Sequence, residues 1–310
     1  MSTIAVVLSA PERVSLQRLD LCTLGDDDVR IDIEFSGIST GTERLLFTGR
    51  MPPFPGMGYP LVPGYESVGR IIEAGKNAQA RMGERVFVPG ANCYKEARGL
   101  FGGSARQVII PAIRAIPVSD SLAEKGVLIA LAATAYHAIA GGKTPDLIIG
   151  HGVLGRLLAR LSVAAGGKIP VVWETNRTRH GGADGYVVTH PDDDDRKDYS
   201  AIYDVSGDST ILDTLIGRLG KGGEIVLAGF YETLSFTFPP AFMREARLRI
   251  AAEWKPEDLE ATTALIHSGA LSLDGLITHR RPAEQAVEAY PIAFADPQCL
   301  KMILDWRDVA

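Results

Sequence analysis

Three glycines in "LIIGHGVLGRLLARL", Leu147 to Leu161, have the type and spacing of a phosphate-binding turn. Gly150, Gly152 and Gly155 form G-x-G-x-x-G between an apolar strand-like run and a helix-like pattern, and "VVWE" supplies the next strand-like run. Glycine is needed there because a pyrophosphate must approach backbone N–H groups at a helix N-terminus, where a side chain would obstruct it. Glu174 lies 19 residues past the last glycine (174 − 155), near the ~20 expected of the acid that binds a dinucleotide's adenosine ribose. Its carboxylate accepts a bond from a ribose 2′-OH and repels a 2′-phosphate, so NAD is expected over NADP. Arg177 and Arg179 weaken that choice, since either could reach a phosphate; a solvated loop is their other reading. The residues expected to hold the cofactor are Gly150, His151, Gly152, Val153, Leu154, Gly155, Glu174, Arg177, Ser206 of "YDVSG" and Gly229 of "VLAGF".

A second set of reactive side chains lies earlier. "GISTGTE" holds Ser39, Thr40, Thr42 and Glu43, "GYE" holds Tyr65 and Glu66, and "TAYHAI" holds His137. His137 reads more readily as a satisfied helix histidine, and the two glutamates read equally as ties within a β unit. "MPPFPGMGYPL" adds Met51, Phe54, Met57 and Tyr59, which with Phe101 offer apolar and aromatic surface to a flat ring or, alternatively, to their own domain.

The elements that must position these groups change character along the chain. Up to about residue 130, short β-type runs broken by Gly and Pro predominate: "IAVVLS", "VRIDIEFSGI", "SVGRIIEAG", "ERVFVPG" and "ARQVIIPA". A helical pattern then begins at "SLAEKGVLIALAATAYHAIAGG", after which strands "DLIIG", "KIPVVWE", "GYVVTH", "SAIYDVSG" and "GGEIVLAGF" alternate with helical segments such as "LGRLLARLSVAAGG" and "TILDTLIGRLGKGG". That alternation implies a parallel sheet with crossover helices. The tail carries a helix, "PEDLEATTALIHSGA", with Pro256 suited to its first turn, and a closing strand, "CLKMILDW".

Composition sets outer bounds. The 310 residues suffice for two domains, and a net charge of −6 argues against a nucleic-acid partner. No run approaches ~18 consecutive apolar residues, and "MSTIAVVLSAPERV" lacks a basic leader region, so a cytoplasmic protein without an integral membrane segment is expected. Cys22, Cys93 and Cys299 are too widely separated to write a disulfide framework or a Cys-rich zinc lobe, and at least two read as buried small hydrophobes. "DDDD", Asp192 to Asp195, reads as a solvated loop.

Taken together, "SGISTGTE", "PLVPGYESVGRIIEAG", "GERVFVPG", "GGSARQVIIP", "TAYHAI", "GHGVLG", "YDVSG", "LGKGGEIVLAGF" and "LITHRRPAEQAVEAY" resemble the medium-chain dehydrogenase/reductase superfamily, collinearly over essentially the whole chain. The resemblance implies an α/β protein: a GroES-like β-rich catalytic domain, residues 1–131 and 255–310, plus a Rossmann doubly wound parallel sheet, residues 132–254, with the active site in the cleft between them. Homodimers through the edge strands of the coenzyme sheets are usual in the superfamily. The stretch "FSGISTGTERLLFTGRMPPFPGMGYPLVPGYESVGRI" further resembles the branch that oxidises a hydroxyethyl group on a bacteriochlorin, a tetrapyrrole, with NAD in bacteriochlorophyll biosynthesis. A substrate so apolar leaves transient contact with a membrane open.

The same alignment implies an NAD-dependent alcohol dehydrogenase without zinc. Ser39 or Thr40 stands where the superfamily's zinc enzymes place a Cys, Tyr65 where they place a His, and Ala130 near their third ligand. Zinc prefers thiolate, imidazole and carboxylate ligands. The resemblance implies that the hydroxyls at these positions bind the alcohol instead, with a relay through Thr42 or His137 to carry its proton away. Two alternatives remain: a zinc-independent quinone or enoyl reductase using NADPH, and a non-catalytic NAD(H)-binding sensor or structural subunit.

Overall fold

The computed structural model describes residues 1–53 and 55–309, in two compact units: Met1–Ala130 with Leu276–Ala310, and Leu131–Gly275. The first boundary lies beside the expected 131/132. The second falls at 275/276 instead of 254/255, so the helix Pro256–His267 belongs to the second unit. Its Pro256 does occupy the first turn, and Asp258 accepts the Lys255 N–H at 2.8 Å to cap it.

Alternation builds the first unit. In the strand Asp28–Ile38 the side chains of Val29, Ile31, Ile33 and Phe35 turn to the core, while intervening polar residues stay partly exposed. This strand is the hub of a seven-stranded sheet. It pairs antiparallel with Ser67–Ala74, Gln107–Pro111 and Met302–Asp305, with His279–Pro282, Arg85–Val88 and Ile116–Pro117 beyond them. Its register sets Met302 opposite Ile38 and Ser67 opposite Ser36, which brings Lys301 and Glu66 to the end of the hub strand just before Ser39. A second sheet runs Arg13–Asp20, Ser2–Ala10, Leu61–Val62, Arg98–Gly99.

Apolar runs build the second unit. Six parallel strands lie in the order Val187–Thr189, Val171–Trp173, Leu147–Ile149, Tyr199–Asp204, Leu219–Leu227, Arg247–Ile250. That is the doubly wound order whose switch point, between Leu147–Ile149 and Tyr199–Asp204, opens a crevice for a dinucleotide. The core beneath it joins Leu147, Ile149, Trp173, Tyr199, Ile202, Leu215, Ile216 and Ile225.

Several elements differ from the sequence expectation. The helical reading of "TILDTLIGRLGKGG" is too long: the helix ends at Arg218 and a strand starts at Leu219, because three glycines, Gly222 among them at φ 69°, weaken a helix. Strands Arg13–Asp20, Arg247–Ile250 and His279–Pro282 carry too much polar or charged surface to show an apolar run. The helix Thr42–Thr48 is too short to show a period. One helical stretch among the described residues, Asp120–Ile139, is long and apolar enough to cross a membrane, at mean hydropathy 1.2, although no run of eighteen apolar residues occurs; Ala123 breaks it at φ 44°, and Val127 to Ala130, Ala132, Ala133, Ala135 and Ala138 are buried in the protein.

Candidate functional site

In the first unit, the end of the hub strand turns at Ser39 into the helix Thr42–Thr48, and this turn faces the "GYE" loop. The Tyr65 hydroxyl bonds Ser39 Oγ at 2.7 Å and reaches Thr42 Oγ1 at 3.5 Å. Thr40, on the turn between them, does not reach the phenol. The Tyr65 ring packs edge-on against Phe101, centroids 5.2 Å apart. Burial, and then the neighbouring Glu66 carboxylate, pushes the phenol well above its ordinary pKa, so it stays protonated.

Beneath these hydroxyls lies a buried charge cluster. Glu66 and Lys301 are both inaccessible to solvent and paired at 2.5 Å, and the ammonium also donates to the Ile38 carbonyl at 3.3 Å. Gly37 must be glycine for this pair to fit, since a Cβ there would lie 2.4 Å from Glu66 Oε2. Burial raises the Glu66 pKa and Lys301 opposes the rise. Glu43 is equally buried; it accepts the Ser39 N–H at 3.2 Å and the Tyr290 hydroxyl at 2.8 Å. Burial is the main cause that lifts its pKa to about 8, with Glu66 adding to it. One cation thus serves two carboxylates, and the cluster holds a proton at neutral pH.

The remaining first-unit candidates are used differently. Phe54 lies outside the described residues. Met57 and Tyr59 pack with the cluster of Leu8, Leu46, Met51, Leu61 and Leu100, and the Tyr59 hydroxyl donates to the Leu46 carbonyl. The loop therefore spends much of its apolar surface on its own domain. Ala130 is buried.

The glycine cradle forms in the second unit as its spacing requires. Gly150 sits at φ 101°, a region that favours glycine. A Cβ on Gly155 would lie 1.9 Å from the Gly150 carbonyl oxygen, so this glycine lets helix and strand pack. Nothing lies within 4 Å of a Cβ on Gly152, leaving that side open for a ligand to approach the backbone. The first intrahelical bond of Val153–Ala164 runs from Arg156 N–H to the Gly152 carbonyl, so the amides of Val153, Leu154 and Gly155 precede it. Ser206 stands over the turn, its Cα 3.6 Å from where a Gly150 Cβ would be, and the N–H groups of Ser206 and Gly229 donate to Asp204.

Glu174 closes the turn. Its carboxylate accepts the His151 N–H at 3.1 Å and the Asn176 N–H at 2.8 Å, which fixes it at the end of Val171–Trp173 with acceptor capacity left for a hydroxyl. These residues fit a dinucleotide. His151 itself is a structural residue: its N–H is committed to Glu174, and its buried ring bonds the Arg179 carbonyl at 2.7 Å and the Tyr186 hydroxyl at 2.8 Å. Burial lowers its pKa to about 4, so it is neutral at neutral pH. Arg177 is exposed and paired with Asp193 at 3.1 Å. His137 Nδ1 bonds Asp258 at 2.7 Å, tying its helix to Pro256–His267.

Sequence reasoning missed Lys301, Tyr290 and Arg156. A lysine inside the apolar run "CLKMILDW" and an arginine inside "LGRLLARL" were the available signals. Arg156 binds the carbonyls of His151, Arg179 and Gly181, stapling the cradle to the next loop.

A family model described as the alcohol dehydrogenase GroES-like domain matches residues 25–120. A curated Cereibacter sphaeroides protein named 2-desacetyl-2-hydroxyethyl bacteriochlorophyllide A dehydrogenase is 59% identical over 318 residues, covering 100% of both chains. Among solved structures, an Escherichia coli alcohol dehydrogenase complexed with NADH superposes with a TM-score of 0.83 at 19% identity, covering 98% of this chain and 99% of that one. A Sinorhizobium meliloti protein described as a dehydrogenase of the zinc-binding type, bound to NADP, gives 0.81 at 20% identity, with 98% and 99% covered. At such identities these two show the fold alone.

Proposed function

The chain belongs to the medium-chain dehydrogenase/reductase superfamily, and on that premise we propose that it oxidises the 3-(1-hydroxyethyl) group of a bacteriochlorophyllide to 3-acetyl, with NAD and without catalytic zinc, in bacteriochlorophyll biosynthesis. The full-length 59% identity to the Cereibacter sphaeroides enzyme carries the choice of substrate. The Tyr65–Ser39 hydroxyl pair carries the mechanism.

NAD accepts the hydride when bound. Gly150, Gly152, Gly155 and the first-turn amides of Val153–Ala164 hold its pyrophosphate, and Glu174 holds its adenosine ribose. That carboxylate disfavours NADP, and Arg177, already neutralised by Asp193, offers little to a 2′-phosphate.

Ser39 Oγ, Thr42 Oγ1 and the Tyr65 phenol are poor partners for zinc, and the two carboxylates beside them are committed, Glu66 to Lys301 and Glu43 to the Ser39 N–H and the Tyr290 hydroxyl. Zinc moves the pKa of bound water from about 15.7 to about 7, worth roughly 12 kcal/mol as an upper bound. An oriented hydrogen bond supplies only about 3–4 kcal/mol in a comparable role. The substrate makes up the difference: positive charge that develops at the carbinol carbon as hydride leaves spreads into the macrocycle, and the product ketone is conjugated with it. Tyr65, held by Ser39, orients the alcohol and takes part in passing its proton toward Thr42 and solvent.

The reading places the enzyme in the cytoplasm, with transient visits to a membrane for its apolar substrate. It also makes it a homodimer along the outer strand Arg247–Ile250, where Leu248 and Ile250 are exposed. The test is anaerobic incubation of chelator-treated protein with 3-(1-hydroxyethyl) bacteriochlorophyllide and NAD or NADP, following the red-most pigment band. A shift with NAD after metal removal is expected. No shift with either cofactor, while NADH still binds, would turn the assignment toward a reductase or a non-catalytic NAD(H)-binding protein.

A further inference from the structure

Cys22 and Cys93, far apart in sequence, meet in the first unit. An isolated antiparallel bridge joins Leu21 and Tyr94. It is flanked by the bonds Lys95 N–H to Asp20 carbonyl at 3.1 Å and Cys22 N–H to Cys93 carbonyl at 2.8 Å. The bond from the Cys22 N–H to the Cys93 carbonyl holds these two residues side by side, one step beyond the bridge. Residues so placed have Cα atoms about 5.5 Å apart, inside the roughly 4.4–6.8 Å that a disulfide spans. Both thiols are reduced; Cys22 is exposed and Cys93 buried. Burial is the main cause that pushes the Cys93 thiol up to about 11; a backbone bond from Ile109 opposes the rise and Cys22 adds to it.

We propose that Cys22 and Cys93 are a reversible redox modification site, oxidised to an intrachain disulfide by a low-molecular-weight disulfide of the glutathione class. The exposed Cys22 thiolate attacks one sulfur of the small disulfide, breaking its S–S bond, releasing one small thiol and leaving a mixed disulfide on Cys22. Cys93 then loses its proton and attacks the Cys22 sulfur, releasing the second small thiol. Two protein thiols are oxidised, one small disulfide is reduced to two thiols, and the reverse exchange restores the starting state. Exposure makes Cys22 the point of entry, and burial makes Cys93 the slow, resolving partner.

The site is wired to the hydroxyl cluster. In the segment around Cys93, the Tyr94 hydroxyl donates to the Gly102 carbonyl at 2.6 Å, and the N–H of Ala91, just before Cys93, donates to the Phe101 carbonyl at 2.7 Å. Phe101 is the ring packed on Tyr65. A Cys22–Cys93 bond pins this segment to the end of Arg13–Asp20.

The experiment treats the reduced full-length protein with oxidised glutathione, quenches with an alkylating agent at intervals, and maps proteolytic peptides by mass spectrometry. The expected result is a Cys22 glutathione adduct that converts to a linked Cys22–Cys93 peptide pair, with conversion accelerating about tenfold per pH unit below the Cys93 pKa. Cys93→Ser should stop at the adduct. Cys22→Ser, at an exposed position, should leave Cys93 unmodified. Hydrogen exchange of amides 94–102 should slow in the oxidised protein. A persistent adduct in the wild-type chain, a disulfide between two copies, or no reaction would overturn the proposal; a linked pair with unchanged exchange would overturn its connection to Phe101.

Discussion

Replacing Tyr65 by Phe removes one oxygen and leaves the ring in place. The edge-on packing on Phe101 survives, so the fold loses only the bonds to Ser39 at 2.7 Å and Thr42 at 3.5 Å. A typical intramolecular hydrogen bond is worth about 0.5–1.5 kcal/mol of net stability, and Ser39 and Thr42 can turn to other partners. In the proposed mechanism the phenol is the donor to the reacting oxygen, and on that reading the catalytic cost is larger. Removing one oriented donor of this kind lowers kcat about 10²–10³-fold, or roughly 2.7–4 kcal/mol. The expected signature is therefore a split: kcat for hydroxyethyl-bacteriochlorophyllide oxidation falls by two to three orders of magnitude, with little change in substrate KM, NADH affinity or urea midpoint. Turnover would be followed by the pigment band under anaerobic conditions, with NADH binding and urea denaturation run in parallel. Full turnover in the variant, or a loss accounted for by unfolding, would refute the role given to the phenol.

Other substitutions probe the rest of the arrangement. Glu174→Gln should weaken NAD binding about 10- to 150-fold, the worth of a hydrogen bond to a charged group at 1.5–3 kcal/mol, while narrowing the margin over NADP; parallel fluorescence titrations with NADH and NADPH decide it. Lys301→Met should cost about 3–5 kcal/mol in urea unfolding because it strands a buried Glu66, and Glu66→Gln in the same chain should recover much of that. Glu43→Gln tests the held proton. The folded pKa of about 8 lies above the ordinary 4.5, so Glu43 contributes stability that is fully present below pH 4.5 and lost as pH rises through 8. Across that window the wild-type chain should lose up to about 1.4 kcal/mol per pH unit more than the variant. Equal slopes in urea midpoints measured from pH 5 to 8 would show that Glu43 is ionised throughout.

The sequence by itself determined whatever depends on local order. Period-two alternation in "VRIDIEFSGI" specified a half-buried strand, and glycines at three fixed offsets specified a turn in which Gly155 meets the Gly150 carbonyl. The distance from that turn to Glu174 specified the acid at the end of the next strand. Only the tertiary structure decided which distant groups share a buried space. Lys301 reaches Glu66 through the strand register Met302–Ile38, and Tyr290 reaches Glu43 across 247 residues. The hydrogen bond to Ser39, which a spacing argument could not choose over Thr40, is set by how the turn at residues 39–41 faces the "GYE" loop. Cys22 and Cys93, unrelated by spacing, become cross-strand neighbours for the same reason. Periodicity records which face of an element is buried, whereas the partner of a buried charge or thiol is chosen by long-range register. In a low-dielectric interior that partner fixes a group's protonation, and with it the chemistry the group can do.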